Sequence, residues 1–218
     1  MPVAMMCPVD ARFGSRGRGR RQRGVTLIEA LVTFLILSVG LLGAVSLQLL
    51  SKSSQHQSIQ RSRAVLLAND FVERIRINPR GIETYAERDL DSPLGAGSIE
   101  DPPTTDCSAV ACTPEQLADF DLWQIERALD GAAVTFEEDG STINSGGLIE
   151  PRACVVFVAD AGKTRTGMVR ILLQWRGLTE SQDAVPAGGE ACGGEDAGDD
   201  DYRRQLVVST FVIDEAEL

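Results

Sequence analysis

The residue in this chain whose chemistry is hardest to place is Glu29. It stands inside an apolar run from Val25 to Leu50, and from Ala30 to Leu50 there is no charge, only Thr33, Ser38, Ser46 and Gln48 being polar. A carboxylate inside hydrocarbon costs on the order of a few kcal/mol. Glu29 must therefore reach water at the edge of the run or face a positive partner. The other reactive groups are five cysteines, Cys7, Cys107, Cys112, Cys154 and Cys192. Four of them lie beyond the run, and an even count in an exported domain predicts disulfides. Of the three possible pairings, Cys107 with Cys112 and Cys154 with Cys192 is the one expected. The first closes a small loop, and the second ties a strand to a long Gly-rich segment. Zinc is the weaker reading, because Cys-x4-Cys with two widely separated partners lacks the short paired spacing of zinc knuckles.

The remaining candidates carry less. His56 is the single histidine, which removes mechanisms needing a His pair or a His-rich metal site. Glu195, Asp196, Asp199, Asp200 and Asp201 form an acidic cluster. Without an Asp-x-Asp-x-Asp ladder it reads as a solvated loop rather than a calcium site. Trp123 and Trp175 sit at apolar periodic positions and are expected in the core. No nucleophile motif and no phosphate-binding loop appears beyond the apolar run, so no cofactor and no metal is expected.

The chain has 218 residues, 21 basic and 32 acidic, with a net charge of −11 and 43% hydrophobic residues. That composition is neither a disordered polyampholyte nor a multi-span membrane protein. The charge is unevenly spread. Residues 1–24 hold Arg12, Arg16, Arg18, Arg20, Arg21 and Arg23 against one acid, Asp10. The rest is more acidic than the whole, which excludes a nucleic-acid-binding body, since phosphate contacts need clustered cations.

These groups must be positioned by elements. About 20 apolar residues cross a bilayer core as a helix, so the run is long enough to span. It is too long for the apolar core of a secretory signal, roughly 7–15 residues. The arginines precede the run, whereas the residues just beyond it hold only Lys52. The positive-inside rule then keeps the N-terminus cytoplasmic and exports the C-terminal body. Gly40 and Ala44 offer a weak small-xxx-small contact for another helix.

Arg23-Gly24-Val25-Thr26-Leu27-Ile28-Glu29-Ala30 resembles the class III signal of type IV prepilins. In that family a membrane aspartyl peptidase cuts after the Gly and methylates the new amine. The resemblance implies cleavage between Gly24 and Val25, methylation of Val25, loss of Cys7 with the leader, and Glu29 as the fifth mature residue. Val25 departs from the Phe usual at the first mature position. Glycine suits a cut site because no side chain blocks an extended backbone in a protease cleft. The freed amine would lie one helical turn from Glu29 on the same face. In a bundle, the amine of one subunit neutralises the carboxylate of its neighbour, each charge being expensive alone and tolerable in the pair.

From Ser51 the sequence is polar but periodic. Ile59, Val65, Leu66, Phe71, Val72 and Ile75 recur at spacings of three and four, and are expected to face the chain's own body. Asn78-Pro79-Arg80-Gly81 is a strong stop. A continuous helix from Val25 to Ile77 would be roughly 80 Å long. The ending Glu73-Arg74-Ile75-Arg76-Ile77-Asn78-Pro79 resembles that of the minor pilins called type IV pilus modification protein PilV. Signal and ending together cover residues 20–81.

Residues 79–113 read as an irregular connection. Thr113-Pro114-Glu115 starts a helix, with Leu117, Phe120, Leu122, Trp123, Ile125 and Leu129 along it. Strands are expected at 153–159, 168–175 and 205–213, with a hairpin turn at 160–167 and an additional edge strand at Val134–Phe136. The expected fold is α+β, the lollipop of pilins. A long N-terminal helix packs on an antiparallel sheet of about four strands. Its expected parts are a leader at 1–24, a membrane and assembly half at 25–50, a solvent-side half at 51–78 and a body at 79–218. The function expected is a minor pilin, a structural subunit rather than an enzyme. Its partners would be other minor pilins, the major pilin, the prepilin peptidase and the inner membrane, with a final place on the cell surface. The alternatives are a minor pseudopilin of the type II secretion system and a membrane-anchored exported enzyme or binding domain.

Overall fold

The structure, a computed structural model, describes residues 24–132, 134–138, 140–144, 146–181, 185, 189–193 and 201–218. The leader through Arg23, Cys7 and the acidic cluster apart from Asp201 lie outside the described residues. One helix, α1, runs over Leu27–Ile77 and is 51 residues long. It contributes to two compact units, one ending at Gln48 and the other beginning at Leu49.

In the first unit every described side chain is exposed. Gly40 and Gly43 do not interrupt the helix, which is long and apolar enough to cross a membrane. The hydroxyls of Thr33, Ser38 and Ser46 donate to the carbonyls of Ala30, Leu35 and Leu42 at 2.8–2.9 Å. These polar groups are thus satisfied within the helix, as hydrocarbon surroundings require.

In the second unit, α1 buries Gln60, Ala64, Ala68, Phe71, Val72 and Ile75. This corrects the expected stripe. Phe71, Val72 and Ile75 are core, but Ile59 and Leu66 are 52% and 69% exposed. The inward face is set by Ala64 and Ala68, whose small side chains let the body approach the helix closely. Full burial of Phe71 and Ile75 is worth roughly 1.5–3 kcal/mol each. At Pro79 the helix gives way to a 3-10 turn, Pro79–Gly81, and then to α2, Ile82–Ala86. A side chain on Gly81 would meet the Pro114 carbonyl at 2.7 Å, so glycine is required where the next helix comes in. That helix, α3, spans Pro114–Leu129 and opens on a capping box between Thr113 and Gln116, worth about 1 kcal/mol.

Five strands follow: β1 Thr135–Glu138, β2 Ser141–Asn144, β3 Arg152–Ala159, β4 Gly167–Arg176 and β5 Arg203–Val212. The last three form an antiparallel sheet in the order β3-β4-β5, and residues 160–166 make the turn between β3 and β4. Thr135 and Phe136 were expected on the edge of this sheet. They instead pair with Asn144 and Ile143 in a separate two-stranded hairpin. The place beside β3 is already taken: Leu94 and Ala153 exchange backbone hydrogen bonds at 2.8 and 2.7 Å, and Val155 donates to the Arg88 carbonyl. A loop from before α3 thus occupies the fourth position. The inner face of the sheet (Ala153, Val155, Val169, Ile171, Leu173, Trp175 and Val212) joins Phe71, Ile75, Leu122 and Ile125 in one apolar cluster.

The chain closes with a turn at Glu215–Glu217 capped by Asp214. Asp214 also pairs with Arg165 at 2.5 Å and Arg80 at 3.6 Å. Glu217 accepts from the Thr164 hydroxyl at 2.7 Å and from the backbone of Thr164 and Arg165. The Thr164 hydroxyl first, and these backbone donors with it, hold the Glu217 carboxyl down from 4.5 to about 2. A depressed carboxylate stabilises the fold above its unfolded pKa and loses that contribution as pH falls through the folded one. The C-terminal turn should stay docked at neutral pH and release between pH 4.5 and about 2. NMR shifts of Ala216 and Leu218 would follow it, and Glu217→Gln should show the released positions already at pH 7. Shifts that are flat across that range would contradict the anchor.

Candidate functional site

The helix start is built by Thr26. Its hydroxyl accepts the Glu29 N–H at 3.3 Å, and its carbonyl accepts the Ala30 N–H at 3.1 Å. The helix therefore begins at Leu27, two residues later than a start at Val25. Thr followed three residues on by Glu is a capping-box pattern, a signal already in the sequence that the motif reading passed over. Glu29 falls in the first turn, where a negative charge meets the positive end of the helix dipole. Gly24 and Val25 precede the helix and are exposed, and among the described residues nothing lies within 4 Å of where a Gly24 side chain would be. The Gly24–Val25 peptide is thus open to an approaching protein. Among the described residues no cation forms an ion pair with Glu29.

The other end of α1 carries a charged network. Arg74 donates to Asp121 and Gln124, both at 2.7 Å, and to Asp70 at 3.1 Å. Asp121 also accepts the Tyr85 hydroxyl at 2.5 Å, while Asn78 donates to the Pro114 carbonyl at 2.6 Å. The motif Glu73-Arg74-Ile75-Arg76-Ile77-Asn78 thus divides by face. Arg74 and Asn78 dock α1 onto α3, and Arg76 pairs with Glu73 on the exposed side at 2.9 Å. Burial, reinforced by the hydrogen bond to Asp121, pushes the Tyr85 phenol well above its ordinary range. It stays a donor at any physiological pH. Burial alone would lower the Arg74 pKa, but the hydrogen bond and charges of Asp121 and Asp70 outweigh it and leave the guanidinium raised.

Disulfides join Cys107 to Cys112 and Cys154 to Cys192, each with Cα atoms 5.6 Å apart. The second pins residues 189–193 over Leu172 on the outer face of the sheet. Trp175 is buried in the core, whereas Trp123, expected there, is only half-buried. Phe120 lies 5.8 Å from the Trp123 ring and the Arg127 guanidinium 5.1 Å from it. An amphipathic helix keeps its boundary aromatics at the rim, which spacing alone does not reveal. No group of three metal-ligating side chains occurs among the described residues.

The two ends of α1 correspond to two known patterns. Residues 19–45 match the family model described as the prokaryotic N-terminal methylation motif. Residues 46–123 match that described as type IV pilin Tt1218. The chain is type IV pilin-like. No curated protein and no solved structure matches it. The pilin-like match ends at Trp123, so the sheet lies outside both segments, and Glu29 and Arg74 lie inside them. Together these two matches support a pilin or pseudopilin subunit.

Removing Arg74 leaves Asp121, whose side chain is 9% exposed, with a buried charge and only Tyr85 and water to satisfy it. Breaking a buried pair in this way costs about 3 kcal/mol. Arg74→Ala should lower the midpoint of thermal unfolding by roughly 6–12 °C. Arg74→Lys should recover only part of it, since lysine lacks the fork that reaches Asp121 and Gln124 together. Calorimetry on the detergent-solubilised chain measures both, and a midpoint unchanged in Arg74→Ala would remove the docking role.

Proposed function

We propose that this chain is a minor pilin that helps initiate or cap a type IV pilus, a structural subunit and not an enzyme. A prepilin peptidase cuts the Gly24–Val25 bond and methylates the Val25 amine. Until assembly, residues 25–50 hold the protein in the inner membrane with the body exported. In the filament Glu29 takes the amine of a neighbouring subunit.

One observation carries this reading: a single carboxylate in the first turn of α1, with no other charge on the helix before Lys52, lies just past the exposed Gly24–Val25 peptide in a segment that matches the methylation motif. Two further features support it. The exposed Ile59 and Leu66, seven residues apart on one side of the second half of α1, are surface that filament neighbours would cover. The Arg74 and Asn78 contacts give a structural reason for the ending that resembles the PilV minor pilins.

Peptide mass analysis of the native N-terminus tests the processing. The mature chain should begin at a methylated Val25 when the prepilin peptidase is present and keep its arginine-rich leader when the peptidase is absent. A native chain that retains the leader would defeat the proposal. Glu29→Ala should be cut as usual yet be recovered in sheared pili at less than a tenth of the wild-type amount, because the pairing loses several kcal/mol. Immunoblots of sheared filaments provide that comparison, and undiminished recovery would discard the charge pair.

A further inference from the structure

Residues 87–113, between α2 and α3, contain no helix or strand. Segments longer than about 12–15 residues without secondary structure are uncommon in compact domains and usually functional. This one is tied down along its length. The Glu126 carboxylate, buried at 2%, accepts from Gly95 N and Ser98 Oγ at 2.7 Å and from Ile99 N at 3.3 Å. Asp130 accepts from Ala96 N and Gly97 N at 2.9 and 3.0 Å. Leu94 is bridged to β3, and the Cys107–Cys112 disulfide closes the far end.

Against this segment, the Asp119 and Trp123 face of α3 closes a cavity of about 250 Å³, whose wall includes Arg88, Asp101, Pro103 and Thr104. Arg88, Asp101 and Asp119 carry charges of both signs into one cavity. Among the described residues their side chains make no ion pair and no hydrogen bond. We propose that this cavity binds a neutral sugar ring, a hexopyranose at the end of a glycan.

Ile99, Pro103, Leu122 and the part of the Trp123 indole that Arg127 leaves uncovered give the C–H face of such a ring an apolar wall. The Asp101 and Asp119 carboxylates accept from its hydroxyls, while the Arg88 guanidinium and the Thr104 hydroxyl donate to it. Arg88 offsets one of the two carboxylates, so the wall presents donors and acceptors together rather than a charge of one sign, which suits the hydroxyls of a neutral ring. The volume is below the roughly 300–1,000 Å³ of drug-sized sites, so it admits one ring and leaves the rest of a glycan outside. A wall already held in place spares the ligand the cost of ordering a loop. The site is independent of filament formation, since binding is read on the chain by itself.

Saturation-transfer NMR on the mature full chain in detergent micelles tests this, with the methyl glycosides of glucose, galactose, mannose and N-acetylglucosamine as probes. At least one should receive saturation in its ring protons, with a Kd on the order of 1 mM. Asp119→Asn changes an exposed residue without a partner and should keep the fold while weakening binding about tenfold. Trp123→Ala should abolish binding, and if that variant fails to fold, Asp119→Asn decides alone. Arg61→Gln, outside the cavity wall, should bind as the wild type does. Absence of transfer to all four sugars, or transfer undiminished in Asp119→Asn, overturns the proposal. So does preferential binding of N-acetyl-lysine methylamide or of inorganic phosphate, either of which would mark an ion site.

Discussion

A carboxylate among hydrocarbon side chains needs a cation brought to it, and no other charge lies on α1 between Glu29 and Lys52. The helix itself eases the problem only in part. Thr26 caps its first turn, and the dipole favours a negative group there, but neither supplies a full positive charge. On the proposed reading the cation comes from the terminus of a second molecule. That requirement gives meaning to the open Gly24–Val25 peptide. It also fits an apolar half-helix whose Thr33, Ser38 and Ser46 hydroxyls are turned back onto its own carbonyls, so that Glu29 is left as its one charged group.

The second unit solves a different problem, that of holding a half-exposed helix against a small sheet. Ala64 and Ala68 bring the helix close, Phe71 and Ile75 fill the contact, and Arg74 with Asn78 fastens its end to α3. The large aliphatics Ile59 and Leu66 are kept outside. Small residues thus serve the internal contact, and on the proposed reading the large exposed ones are left for neighbouring subunits.

Much of this was legible in the sequence because it rests on local signals. Pro79 stops α1, Thr113-Pro114 starts α3, and the alternation of Leu206, Val208, Thr210 and Val212 marks β5. What was not legible depends on residues far apart in the chain. Asp121 looks like an ordinary acid on a helix, and its burial makes sense only with Arg74 and Tyr85, 47 and 36 residues away. The inward stripe of α1 was misplaced because alanine carries little periodic signal, while the outward Ile59 and Leu66 carry much. Thr135 and Phe136 have strand chemistry, but the place beside β3 is occupied by residues 88–94, and they pair with Asn144 and Ile143 instead.

The account stands on a contact between two molecules, and solid-state NMR of assembled filaments reaches it directly. Filaments would be grown with this chain carrying carbon-13 in its glutamate carboxyls and the other pilins carrying nitrogen-15 in their N-terminal amines. The account predicts a transfer between the Glu29 carboxyl and the N-terminal amine of a neighbouring subunit, at a separation of about 4 Å or less. A Glu29 carboxyl that shows no nitrogen neighbour from the other pilins would contradict it.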